Sequence, residues 1–243
     1  HGLIMKLNAT KTPLNQGHIT ADLDFWDWYW RRLTRDQRYR RDVVAQKSFS
    51  KLRSAIAGLY VANGRMSEGE QAFQESRILY PPSPEANFRL AQEVLLRQGR
   101  TTEALDVMDV FTMHDPNNER GTQFRNSIAN YAAVEVRLRE LLAVAQKGEP
   151  VTTAMTLEIA QCYRDLGSNE QAARVLESLV DAEGLTPRQM LDVSTILAAN
   201  GRTAAAVKIL DRLMVQVRTA PLPSEQYLHI AQAFDQCGEY AKI

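Results

Sequence analysis

The side chains that could supply a nucleophile, a general base or a metal ligand are few and scattered. His1, His18, His114 and His229 have no carboxylate or cysteine at a ligand spacing. His229 lies among apolar residues of helical period and reads as packed, and His114 sits in a turn before Pro116. Cys162 and Cys237 fall at different phases of two segments separated by a third, so two free thiols are expected, which mildly favours a reducing compartment. The Gly-Arg steps at 64, 99 and 201 lack the further glycines of a phosphate cradle, and no G-x-S-x-G, H-E-x-x-H or C-x-x-C is present. These residues predict no catalytic group, no metal and no cofactor. The chemistry left to the chain is recognition.

The elements that would carry recognition follow a repeat. Gly167 and Gly201 are 34 residues apart in matching surroundings. A large aliphatic stands eight before each (Ile159, Val193), a small residue seven before (Ala160, Ser194) and a large one four before (Tyr163, Leu197). Ala172 and Ala206 follow five after, Leu176 and Leu210 nine after, Leu179 and Leu213 twelve after. Apolar residues at 3–4 spacing interrupted by one glycine predict two helices per unit, with small residues permitting close approach. Gly64 repeats the frame with Ile56, Ala57 and Tyr60 before it and Gly69, Phe73 and Ser76 after; Gly238 repeats it with Ile230, Ala231 and Phe234. Gly99 is followed by Ala104, Met108 and Phe111, but Leu90 and Ala91 come one residue early, so an extra residue is expected in that helix.

These residues resemble the tetratricopeptide repeat family, over about residues 48–118 and 153–243. The resemblance implies an all-α fold, an α-solenoid of paired helices whose first helices line a concave face. Ten residues before the glycines stand Ser54, Leu157, Leu191 and Leu228, with Phe88 near that place. Six before stand Gly58, Gln161, Thr195 and Gln232, and Gln92 lies seven before Gly99. Leucine beside glutamine or threonine suits an extended peptide or a partner helix, with apolar anchors and neutral groups for backbone hydrogen bonds. The expected partner-binding residues are therefore Phe88, Gln92, Leu157, Gln161, Leu191, Thr195, Leu228 and Gln232. The lysine and asparagine set with which chaperone-tail binders of the family clamp a terminal carboxylate is absent. The alternative is that the leucines pack internally and the face is unused.

Charge is balanced, with 29 basic and 29 acidic residues, so net charge names no partner. It is nevertheless uneven. Residues 31–53 carry Arg31, Arg32, Arg35, Arg38, Arg40, Arg41, Lys47, Lys51 and Arg53 against Asp36 and Asp42. That segment reads as a solvated helix face or as a surface for lipid headgroups or nucleic acid, with Arg31, Arg35, Arg38 and Arg41 as candidates. Just before it, Leu23, Phe25, Trp26, Tyr29, Trp30 and Leu33 share one helical arc from which Trp28 is excluded, and read as core.

The expected organisation is an extended lead-in over 1–20, N-terminal capping helices over 21–49, a first pair of units over 50–118, a linking helix over 119–147 and a second array over 148–243. No turn residues occur between Asn130 and Gly148, and Phe124, Ile128, Tyr131, Val134, Leu138, Leu141, Leu142 and Ala145 form a continuous stripe. A single helix there breaks the alternation of up and down helices and predicts two short grooves in place of one long one.

The N-terminal runs GLIMKLN, FWDWYWRRL, RRDVVAQKSFSKLRSAIAGLY and YPPSPEANFRLA resemble the tail of bacterial multi-spanning membrane proteins with a protein-mannosyltransferase-like membrane region, over about residues 1–95. That resemblance implies an extracytoplasmic accessory domain beside a glycosyltransferase-like membrane part, which would itself be a partner. Without it, a cytoplasmic protein-binding scaffold is expected. The first residue is His1 and the last lies early in a repeat's second helix, so a piece of a longer protein is expected. No run approaches the length of a membrane span.

Overall fold

The computed structural model describes residues 13–147, 150–219 and 222–239. Among these the regular structure is all helical. The chain divides into two compact units, residues 1–132 and 133–243. The GLIMKLN run and most of the expected lead-in lie outside the described residues.

In the first unit, α1 (Gln16–Arg35) begins where Asn15 accepts a hydrogen bond from the His18 backbone N–H at 2.9 Å. The helix thus starts five residues before its expected place at 21, because a side-chain cap and the buried Ile19 extend it backwards. Helix α2 (Gln37–Arg41) is a short connection, and α3 (Val43–Ala62) opens on the Asp42 cap, well ahead of the unit boundary expected at 50. The pair α3 and α4 (Met66–Leu79) packs around Ala57, Tyr60, Ala72 and Phe73, all buried.

Helix α5 (Pro84–Arg89), capped by Ser83, continues into a π turn at Leu90–Leu95 and a 3₁₀ turn at Leu96–Gln98. The wide turn absorbs the extra residue read from the early Leu90–Ala91 pair, and both side chains stay fully buried. Helix α6 (Thr101–His114) completes the second pair through Ala104, Met108 and Phe111.

Helix α7 runs unbroken over Glu119–Gln146, about 40 Å at 1.5 Å per residue. Its Ile128 belongs to the first unit's core, and its Leu138 and Leu141 to a core of the second. Tyr131, expected on the buried stripe, faces solvent. Within the second unit follow α8 (Thr153–Asp165), α9 (Asn169–Glu177), α10 (Pro187–Ala199), α11 (Thr203–Thr219) and α12 (Ser224–Gln236). Ala160, Ala172, Ala206, Leu210 and Leu213 are buried where these helices meet.

One turn closes each pair. Gly64, Gly99, Gly167, Gly201 and Gly238 have φ of 74, 71, 73, 74 and 76°. The next residue's N–H reaches back to the carbonyl of Tyr60, Leu95, Tyr163, Leu197 or Phe234. That is the left-handed helix ending that glycine adopts without Cβ strain. It also explains why the residue four before each glycine is large across the chain: its carbonyl closes the turn while its side chain enters the core.

Candidate functional site

The second unit holds an open groove between α8 and α10, of about 620 Å³. Its floor is Leu157, Ala160, Leu176, Val193 and Ile196, and polar groups come from Glu158, Gln161, Arg164, Gln189, Asp192 and Thr195. The helix geometry places them there. Leu157, Gln161 and Arg164 are one turn apart on α8, and Asp192, Thr195 and Ile196 occupy the facing stripe of α10.

The polar groups are engaged to different degrees. Glu158 is held by Arg137 at 2.6 Å, and that hydrogen bond keeps its carboxyl below the ordinary range. The Gln189 side chain closes a capping box with Thr186 at the start of α10. Gln161 donates to the Asp165 carboxylate at 2.7 Å, which leaves its carbonyl with only a 3.5 Å contact from Arg164. Thr195 donates its hydroxyl proton to the Leu191 carbonyl at 2.9 Å and retains both oxygen lone pairs. Asp192 is exposed and forms no ion pair among the described residues. The groove thus offers acceptors and an amide above an apolar floor, with an anion on one wall and the Arg164 cation on the other.

Of the eight expected partner-binding residues, the structure brings Leu157, Gln161 and Thr195 into this groove. Leu191 sits just behind it in the core. Leu228, 60% exposed, and Gln232, also exposed, lie on α12 in the same unit. In the first unit Gln92 is exposed, whereas the half-buried Phe88 ring stacks on Phe124 at 5.3 Å and meets Phe111 edge-on at 5.5 Å.

On α3 of the first unit the same register positions are closed. Ser54 is fully buried and shares a 2.7 Å hydrogen bond with Ser76. Gly58 lies under Arg89, whose guanidinium occupies the space a Cβ would take. Arg89 also lies over the Phe73 ring and pairs with Glu93 at 2.8 Å.

Sequence reasoning missed the buried charges nearby. Arg53, read as part of the basic face, is instead fully buried; its Nε donates to Glu75 at 2.7 Å and its Nη1 to Asp22 at 2.8 Å. Trp26 lies against its guanidinium, and the Tyr60 hydroxyl also donates to Asp22, at 2.7 Å. Burial, then the Asp22 hydrogen bond, pushes the Tyr60 phenol well above its ordinary pKa. The only signal was Asp22 on the aromatic helix, three residues after the buried Ile19. Of the basic candidates, Arg31 pairs with Asp27, Arg38 pairs with Asp36, and Arg35 and Arg41 form no ion pair among the described residues.

A family model described as tetratricopeptide repeat matches residues 55–118 and 157–221, more than half of the chain. The chain belongs to the tetratricopeptide repeat family. No curated protein matches it. Solved structures do. The thermophilic protein TTC0263 of Thermus thermophilus is 20% identical, covering 76% of this chain and 98% of that one, with a TM-score of 0.33. A tetratricopeptide repeat protein of Parabacteroides merdae is 12% identical, covering 93% and 86%, with a TM-score of 0.35. MamA of Desulfovibrio magneticus, from residue 41 to its end, is 16% identical, covering 71% and 97%, with a TM-score of 0.33. Among the described residues no helix is long and apolar enough to cross a membrane, and no three His, Cys, Asp or Glu side chains come together as metal ligands.

Proposed function

We propose that the chain is a non-catalytic scaffold whose α8–α10 groove holds an extended peptide segment of a protein partner. The observation that carries this is the composition of the groove: Leu157 and Ile196 in its floor, with the partly unengaged Gln161 and Thr195 above them. An apolar side chain of the peptide enters the floor, and its backbone amide and carbonyl bond the hydroxyl and the amide. Leu228 and Gln232 on α12 offer the same pairing of types to the next stretch of peptide. Asp192 favours a basic residue in the bound segment, since an anion without a counter-ion selects its complement.

The test is selection from a random peptide library on the whole chain, followed by binding measurements on variants. Leu157→Lys is expected to weaken selected peptides by about tenfold or more, since it puts a charge where an apolar anchor sits. Asp192→Lys is expected to shift the selected sequences from basic to acidic. Peptides that bind Leu157→Lys undiminished overturn the assignment.

The accessory-domain reading, beside a glycosyltransferase-like membrane part, rests on the resemblance of residues 1–95 alone. Its test is whether the encoding gene continues upstream of His1 with apolar segments about 20 residues long.

A further inference from the structure

We propose that the corner formed by α1, α2 and the first turns of α3 docks on an anionic lipid surface. This corner belongs to the first unit only and shares no residue with the peptide groove.

The structure sorts the nine cations of residues 31–53. Arg53 leaves the surface altogether, neutralised between Asp22 and Glu75. Eight stay outside. Arg31–Asp27 and Arg38–Asp36 are exposed pairs, of the kind that contributes little and is screened by salt. The Asp42 carboxylate is occupied as the cap of α3, accepting from the Ala45 N–H at 2.9 Å. Arg35, Arg41 and Lys51 form no ion pair among the described residues. Arg40 donates to the Thr34 carbonyl, Arg32 stacks on Trp28 at 4.8 Å, and Lys47 lies over Tyr80, all three partners being neutral. Counting the neighbouring Asp24 and Asp27, residues 24–51 hold eight basic and four acidic side chains.

Apolar groups are exposed within this basic field. Val43 and Val44, directly after Arg40, Arg41 and Asp42, are 51 and 74% exposed, and Trp28 is 56% exposed. On α1, Trp28, Arg32 and Arg35 follow at i, i+4 and i+7 and share one stripe. The corner is tied in place. The Tyr39 hydroxyl donates to the Leu79 carbonyl at 3.1 Å, and the Gln46 amide donates to the carbonyls of Tyr39 and Arg40.

Guanidinium groups around exposed aliphatics and an indole match a membrane interface. The cations meet lipid phosphates and the apolar side chains enter the headgroup–acyl boundary. A nucleic acid would use the arginines and could stack on Trp28, but has no use for the two valines; the valines decide the choice.

The test is co-sedimentation of the whole chain with vesicles of phosphatidylcholine alone or mixed with phosphatidylserine. Binding is expected on the mixed vesicles only, falling steeply as ionic strength rises. Arg35→Glu with Arg41→Glu is expected to weaken it by about tenfold or more. Val43→Ser with Val44→Ser is expected to weaken it several-fold while leaving the salt dependence unchanged. All four positions are exposed, so circular dichroism of both variants is expected to match the parent. Equal retention on pure phosphatidylcholine, no retention on mixed vesicles at low salt, or no effect of the charge reversals overturns the proposal. Undiminished binding of the valine variant, with single-stranded RNA binding as dependent on Arg35 and Arg41, overturns it in favour of a nucleic acid.

Discussion

Residues ten and six before the pair-closing glycine are Ser54 and Gly58 in the first unit, and Leu157 and Gln161 in the second. The backbone frame is the same at both places, down to the positive φ of Gly64 and Gly167. In the first unit the positions are sealed, one by the Ser54–Ser76 hydrogen bond and the other by the Arg89 side chain. In the second they open into a groove. The repeat therefore fixes where a face points and leaves its use to two residues per helix. The small pair Ser54 and Gly58 lets neighbouring side chains close over the helix. The larger pair Leu157 and Gln161 holds the neighbours apart and stays accessible.

The cores differ in the same sense. The second unit is held by alanines against leucines, with Ala172, Ala206, Leu210 and Leu213 fully buried or nearly so. The first adds a polar fastening of α1 onto α3 and α4 through Asp22, Arg53, Glu75 and Tyr60. Removing one partner of a buried ionic set leaves uncompensated charge, so the largest loss of stability is expected there. Arg53→Ala strands two buried carboxylates and is expected to destabilise the first unit by about 3–5 kcal/mol in chemical denaturation. A loss no larger than that of an exposed arginine would show the fastening to be dispensable.

A smaller effect is expected from overfilling the second core. Ala172→Leu forces methylene groups into a fully buried contact and is expected to cost roughly 1–3 kcal/mol. A melt indistinguishable from the parent would reject the assigned packing register. Next comes the shared frame itself. Gly201→Ala meets no atom within 4 Å, so its cost is that of a left-handed backbone alone, about 1 kcal/mol. A neutral substitution would mean that the turn relaxes to another conformation. The smallest effect is chemical. Burial, then the Glu158 and Asp165 charges, pushes the Cys162 thiol above its ordinary pKa. Less thiolate at neutral pH means slower alkylation than a free cysteine, with the difference abolished by denaturant. Mass spectrometry of the alkylated peptides checks this, and equal rates in the native chain would contradict it.

What could be read from the sequence follows the same division. The second array was legible because glycine phase and alternation of small and large residues are both local. Even the π turn left a trace, in the one-residue shift of Leu90 and Ala91. The long α7 was legible from the missing turn residues, although Tyr131 shows that an apolar stripe need not be buried along its whole length. The start of α1 was not legible. Its first turn, Gln16-Gly17-His18, is polar and carries no period, and only the Asn15 cap marks it. Arg53 was illegible for a different reason. Its carboxylate partners are 31 and 22 residues away, so nothing local separates it from its basic neighbours. At the groove, register alone selected Leu157, Gln161 and Thr195. Asp192 carries no such signal, because its relevance comes from forming no ion pair among the described residues, which only the folded chain reveals.

The two units use one frame differently, and we propose that the open face of the second is the one that binds. Site-specific photo-crosslinking of the whole chain with a library-selected peptide tests it most directly. The crosslinker is placed in turn at Thr195 in the groove, at Val215 on the exposed side of α11 and at Gln92 in the first unit. Capture is expected from position 195, with background levels from 215 and 92. Capture from 215 or 92 with none from 195 would contradict it.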